Sequence, residues 1–211
     1  MTTADPRTAS KTHRPKHFQQ WMGRILIGAT LSFAVLALTP IASALATTDA
    51  AAVPDRPATA AEQTIAALAG DPPADALAFL PADFARRLGY TPVVVDGRPL
   101  NPSGDCSSPV PMPEAFTDPC RAHDLGYDLL RYAEATGRPA SAWARAALDR
   151  RLVADLHDRC TDPACHALAE TARAGLALNT WRQRSGPPVR ESGAQIAVSY
   201  LTRTLETAGL R

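Results

Sequence analysis

Cys120-Arg121-Ala122-His123-Asp124-Leu125-Gly126-Tyr127 is the stretch on which the reading of this 211-residue chain turns. At 100° per residue, Cys120, His123 and Tyr127 fall on one face of a helix, so a crosslink through Cys120 clamps the turn just below the histidine. Asp124 projects one step round, toward the segment that holds Cys106. Asp118 is the expected N-cap of this helix, with Pro119 at the first helical position, where a missing N–H costs nothing, and Gly137 as the stop.

Working outward, the pattern stays helical. A second helix is expected from Pro139 or Ser141 to near Cys160, a third from Asp162-Pro163 to about Arg184, and a fourth from a Ser192 cap to about Glu206. Ile196, Tyr200 and Leu201 define the expected apolar face of the fourth helix, which Leu205 continues. Short connections predict antiparallel neighbours, and the fold class is all-α. Trp143 and Trp181 read as packing anchors between helices.

The second helix carries the other half of the candidate site. Leu148, Leu152, Val153 and Leu156 form its buried stripe, and Asp149 lies within it. A buried carboxylate needs a partner, and His123 on the antiparallel neighbour is the natural one. Such a pair fixes the imidazole tautomer and leaves one ring nitrogen to take a proton from water. Asp124, beside a loop holding Gly104 and Asp105, offers hard oxygen ligands of the kind calcium takes, six to eight with waters completing the set. A cation there would stabilise an oxyanion. These parts describe a hydrolase that activates water and forms no covalent intermediate. His157 and His166 lack such a constellation and read as surface residues. Ser107 and Ser108 lack the Gly-x-Ser-x-Gly elbow of a serine nucleophile.

Four cysteines allow three pairings. Cys160 and Cys165 flank the turn between the second and third helices and suit a staple across it. Cys106 and Cys120 would then tie the preceding loop to the first long helix, worth roughly 3 kcal/mol by loop entropy. A Cys₄ zinc site is the alternative, but the chain has no Cys-x-x-Cys knuckle.

Upstream, composition changes. Residues 47–103 form a Pro/Ala-rich arm, expected to be irregular apart from short helices at Ala61–Leu68, Ala74–Leu80 and Ala82–Leu88, which must dock on the core or fray. Thr91–Val95 is the sole β-like run, and Asp96-Gly97 can reverse it against Pro99-Leu100. This arm could be a lid, a propeptide or a strap across the site. Residues 104–185 form the helical domain and 186–211 the C-terminal helix and tail.

Residues 1–46 read as an export signal. Five bases against Asp5 precede the uncharged run Ile25–Leu38, and Ala42-Ser43-Ala44 and Ala44-Leu45-Ala46 offer peptidase sites. An uncleaved anchor is the alternative, since Ile25–Ala46 is long enough to span a bilayer. Both place the rest outside the cytoplasm, where disulfides persist. Without that segment the chain has 17 bases against 20 acids, so a nucleic-acid partner is not expected. Binding to a lipid interface would then depend on exposed apolar residues. A monomer is expected.

The run Cys120-x-x-His123-Asp124-x-Gly126-Tyr127, with Cys-Ser-Ser-Pro upstream and Leu148-Asp149 then Cys160 downstream, resembles the bacterial secreted phospholipases A2 over about residues 104–181. The resemblance implies a small disulfide-linked helical domain in which His123 is the general base, Asp149 orients it, Asp124 ligates calcium and Tyr127 supports the pair. It implies calcium-dependent hydrolysis of the sn-2 ester of glycerophospholipids at a membrane or micelle interface. One feature departs from it. The family carries an Asp two residues before its first Cys, with a carbonyl ligand between, whereas Gly104 and Asp105 stand there in this chain. A non-catalytic lipid-binding or envelope-interaction protein on the same scaffold is the alternative.

Overall fold

The computed structural model of the protein describes residues 58–70, 73, 75–108, 110–189 and 191–210. The expected export signal, residues 1–46, lies outside them. The described residues form six α-helices and one β-hairpin: α1 Ala60–Ala69, α2 Phe84–Leu88, β1 Val93–Val95, β2 Arg98–Leu100, α3 Thr117–Ala135, α4 Ala142–Asp158, α5 Pro163–Arg182 and α6 Gly193–Thr207. Two 3₁₀ turns, Ala76–Phe79 and Glu114–Phe116, complete the order. No helix among the described residues is long and apolar enough to cross a membrane.

Local chemistry accounts for most boundaries. Asp162 accepts hydrogen bonds from the backbone N–H groups of Ala164 (2.9 Å) and Cys165 (3.0 Å), which caps α5 with Pro163 directly inside it. Ser192 and Gln195 form a reciprocal capping box at the start of α6. Asp96 (φ 48°) and Gly97 (φ 74°) both adopt the left-handed region, the turn that a two-residue hairpin requires, and pair Val93 with Leu100 in antiparallel register. The Asp118 cap is a correction. The turn Glu114–Phe116 runs directly into α3, so Asp118 sits inside the first turn and faces Arg121 at 3.6 Å instead of capping.

The arm is better ordered than its composition suggests. Ile65 and Leu68 of α1 and Phe84 of α2 share one apolar cluster with Leu125, Leu129 and Leu130 of α3 and Trp143 and Leu148 of α4. The short helices therefore dock, gaining from burial what isolated propensity cannot supply. Glu62 fastens α1 to the start of α4: its carboxylate accepts from the N–H groups of Ser141 (2.9 Å) and Ala58 (2.8 Å). Burial pushes its pKa up, but these bonds outweigh that and leave it lowered. A second cluster joins Phe116, Cys120, Leu152, Leu156 and Ala169 beside both disulfides, Cys106–Cys120 and Cys160–Cys165.

No residue of α6 is buried, and Ile196, Leu201 and Leu205 are exposed. Of its expected apolar face only Tyr200 packs on the domain, its ring centroid 6.0 Å from that of Trp181 on α5.

Candidate active site

α3 and α4 pack closely where Gly126 faces Leu148. A Cβ at Gly126 would come within 2.4 Å of the Leu148 side chain, so glycine is what allows this approach. His123, one turn before Gly126, is thereby set opposite Asp149, one residue after Leu148. His123 Nε2 lies 2.9 Å from Asp149 Oδ1.

The carboxylate is held from three sides. The hydroxyls of Tyr127 and Thr180 each donate to it at 2.7 Å, Tyr127 to Oδ1 and Thr180 to Oδ2. Asp149 is 4% exposed, so these bonds replace the water it has lost. Because an ionised carboxylate only accepts, Nε2 carries the proton and Nδ1 presents its lone pair. Burial, followed by the Asp149 charge, raises the Tyr127 phenol well above its ordinary value and keeps it a donor. The Arg145 guanidinium lies 5.2 Å from the centroid of the Tyr127 ring, on the same helix and one turn before Asp149.

Sequence reasoning places His123, Asp149 and Tyr127 together and misses Thr180 and Arg145. Two signals pointed to them. Thr180 lies at helical spacing from the buried Ala177, where a hydroxyl needs a partner, and Arg145 lies at i−4 from Asp149.

The second group of site residues meets at the N-terminal half of α3. The loop 101–106 runs along the helix, pinned by Asn101 N–H to the Arg121 carbonyl (3.0 Å), Asp105 N–H to Asp124 Oδ2 (2.9 Å) and the Cys106–Cys120 disulfide. A Cβ at position 104 would sit 2.7 Å from Asp124 Oδ2, so any larger residue at this place would force the loop off the carboxylate. Gly104 thus lets the loop backbone lie close against the Asp124 side chain. Burial raises the Asp124 pKa, against the lowering effect of the Asp105 N–H. Asp124, the Gly104 carbonyl and Asp105 form an all-oxygen set that suits calcium in chemistry. Arg121 Nε donates to the Gly104 carbonyl at 3.2 Å, and a cation would have to share or displace that contact. Asp105 Oδ1 accepts from the Ser107 hydroxyl at 3.2 Å. No cluster of three His, Cys, Asp or Glu side chains suited to a metal occurs among the described residues.

The arm covers the histidine. Leu68 from α1 and Arg98 from β2 join His123, Leu148, Arg151 and Asp155 around a cavity of about 10 Å³, room for one water. The Arg98 guanidinium pairs with Asp155, whose other oxygen meets Arg151 at 2.7 Å, and Arg151 also donates to the Gly70 carbonyl at 3.3 Å. Elsewhere, His157 and His166 pair through Nδ1 at 2.8 Å on the surface, with Glu170 on His157.

No protein-family model matches the chain, and no characterised protein or solved structure is detectably similar to it.

Proposed function

We propose that this chain is an exported phospholipase A2 that hydrolyses the sn-2 ester of glycerophospholipids with calcium, using His123 and Asp149. The observation that carries this reading is the 2.9 Å contact between His123 Nε2 and a carboxylate fixed by two further donors. That arrangement leaves Nδ1 as the only basic position on the ring. A water at Nδ1 gives it a proton while its oxygen attacks the ester carbonyl carbon. When the bond to the glycerol oxygen breaks, the same proton passes to the departing alkoxide. Asp149 balances the transient imidazolium, and Tyr127 and Thr180 keep its oxygens in place. Asp124, the Gly104 carbonyl and Asp105 would hold calcium, which when bound supplies the positive charge that polarises the ester carbonyl. The cavity beside His123 has room for one water and none for an ester, so on this reading substrate access requires Leu68 and Arg98 to move aside.

The second reading, a lipid-binding protein without catalysis, draws on that closure and on the Arg121 contact to Gly104. The deciding experiment is fatty-acid release from mixed phosphatidylcholine micelles by the exported chain, with calcium and with chelator, against His123→Ala. Calcium-dependent release that the variant lacks is expected. Equal release by parent and variant would remove the catalytic reading.

A further inference from the structure

α6 is built inside out for a helix on the surface of a water-soluble domain. Its side toward α5 is attached by polar groups. Arg182 donates to Ser199 (2.5 Å), Arg184 donates to both oxygens of Glu206 (2.6 Å each), and the Arg203 guanidinium lies 5.8 Å from the Trp181 ring centroid. Its far side is apolar: Ala194, Val198, Leu201 and Leu205 recur at helical spacing with no charge among them. Val198 is 63% exposed, Leu201 61% and Leu205 43%. Six of the eleven large apolar side chains exposed among the described residues fall between Val189 and Leu210, so this exposure is concentrated, not scattered.

Charge indicates what covers the face. Residues 182–211 carry five Arg against Glu191 and Glu206, net +3, whereas residues 47–181 carry twelve Arg against eighteen acids, net −6. The exported chain is acidic as a whole but cationic at the end that bears the apolar helix. A second copy docked here would set one +3 segment against another. An anionic bilayer meets both features, since it accepts the apolar stripe at the acyl boundary and attracts the net positive charge of the segment.

We infer that the outer face of α6 is a lipid-anchoring surface that lies flat on anionic phospholipid bilayers. This rests on the phospholipid reading for its occupant but not on catalysis, because α6 supplies none of the groups around His123. The test compares the parent with Val198→Ser/Leu201→Ser/Leu205→Ser, both with the N-terminus they carry after export, so any contribution from that end cancels. All three positions are exposed, and the substitutions leave the core untouched. Cosedimentation with vesicles of 7:3 phosphatidylcholine and phosphatidylglycerol is expected to show at least tenfold weaker binding by the variant. The parent is expected to bind pure phosphatidylcholine vesicles several-fold less well. Equal binding by parent and variant, indifference to the anionic lipid, or a lipid-free dimer that the substitutions convert to monomer would each overturn the inference.

Hydrolysis of a short-chain phosphatidylcholine below its micellar concentration separates this inference from the enzymatic reading and is expected to be equal in the two proteins. If neither hydrolyses it while vesicle binding still differs, the enzyme reading fails and the anchoring face stands. If both hydrolyse it and vesicle binding does not differ, the anchoring face fails alone.

Discussion

Replacing Asp149 by Asn removes the charge behind His123 while keeping the volume of a residue that the core encloses. At an effective dielectric constant near 20, a full charge at Nε2, 2.9 Å from Oδ1, would be stabilised by about 6 kcal/mol. Delocalisation over the ring and partial charge development in the transition state reduce this to ~3–5 kcal/mol, a rate loss of roughly 10²- to 10⁴-fold. The effect on folding has a different size. An Asn oxygen can still accept from Tyr127 and His123, and the Thr180 hydroxyl can rotate to accept from the new amide. About one hydrogen bond weakens, and the desolvation cost of a buried anion disappears, so stability changes by ~1 kcal/mol or less, a few degrees in Tm. Initial rates of fatty-acid release, measured beside thermal melts of the same preparations, separate the two effects. Activity within threefold of the parent, in a protein of unchanged Tm, would refute the assignment of Asp149 as the group that orients and balances His123.

Arg98→Ala removes the link between β2 and Asp155 and is expected to raise the rate on a short-chain phospholipid several-fold, at a stability cost of about 1–3 kcal/mol because the buried Asp155 keeps Arg151 but loses a partner; an unchanged or lower rate would mean that the hairpin does not gate the histidine. Gly126→Ala places a methyl group against Leu148 at the closest approach of α3 and α4, and melts should show a loss of about 1–3 kcal/mol; in a background carrying Leu148→Ala, itself destabilising, the added methyl should cost less. The raised Tyr127 pKa gives an alkaline signature. Above pH ~10 the unfolded phenol releases its proton while the folded one keeps it, so stability is complete below that value and falls as pH rises toward the folded pKa. Melts between pH 8 and 11 should show this slope, and Tyr127→Phe should reduce it, the raised phenols of Tyr90 and Tyr132 supplying the remainder.

The parts of this protein that neighbours in sequence can specify were legible without a structure. Asp162-Pro163 and Ser192 start helices through bonds to their own next few residues, and Asp96-Gly97 turns the hairpin through its own left-handed backbone. The pairing of His123 with Asp149 was legible for a less local reason: a carboxylate in an apolar stripe must be answered by something on the facing helix, and one histidine was in register. Asp118 shows where local reasoning stops, because a 3₁₀ turn already supplied the start of α3 and the side chain was left to face Arg121. Tertiary structure alone decided that α1 and β2 close over His123, since Leu68 and Arg98 meet the site only after the arm has docked. It also decided the orientation of α6. The sequence shows that the helix is amphipathic, with Leu201 and Leu205 on an apolar face, but a period carries no direction and did not single out Val198. In this fold the bonds of Arg182 and Arg184 to Ser199 and Glu206 of α6, with the Arg203 guanidinium over the Trp181 ring, turn that face outward.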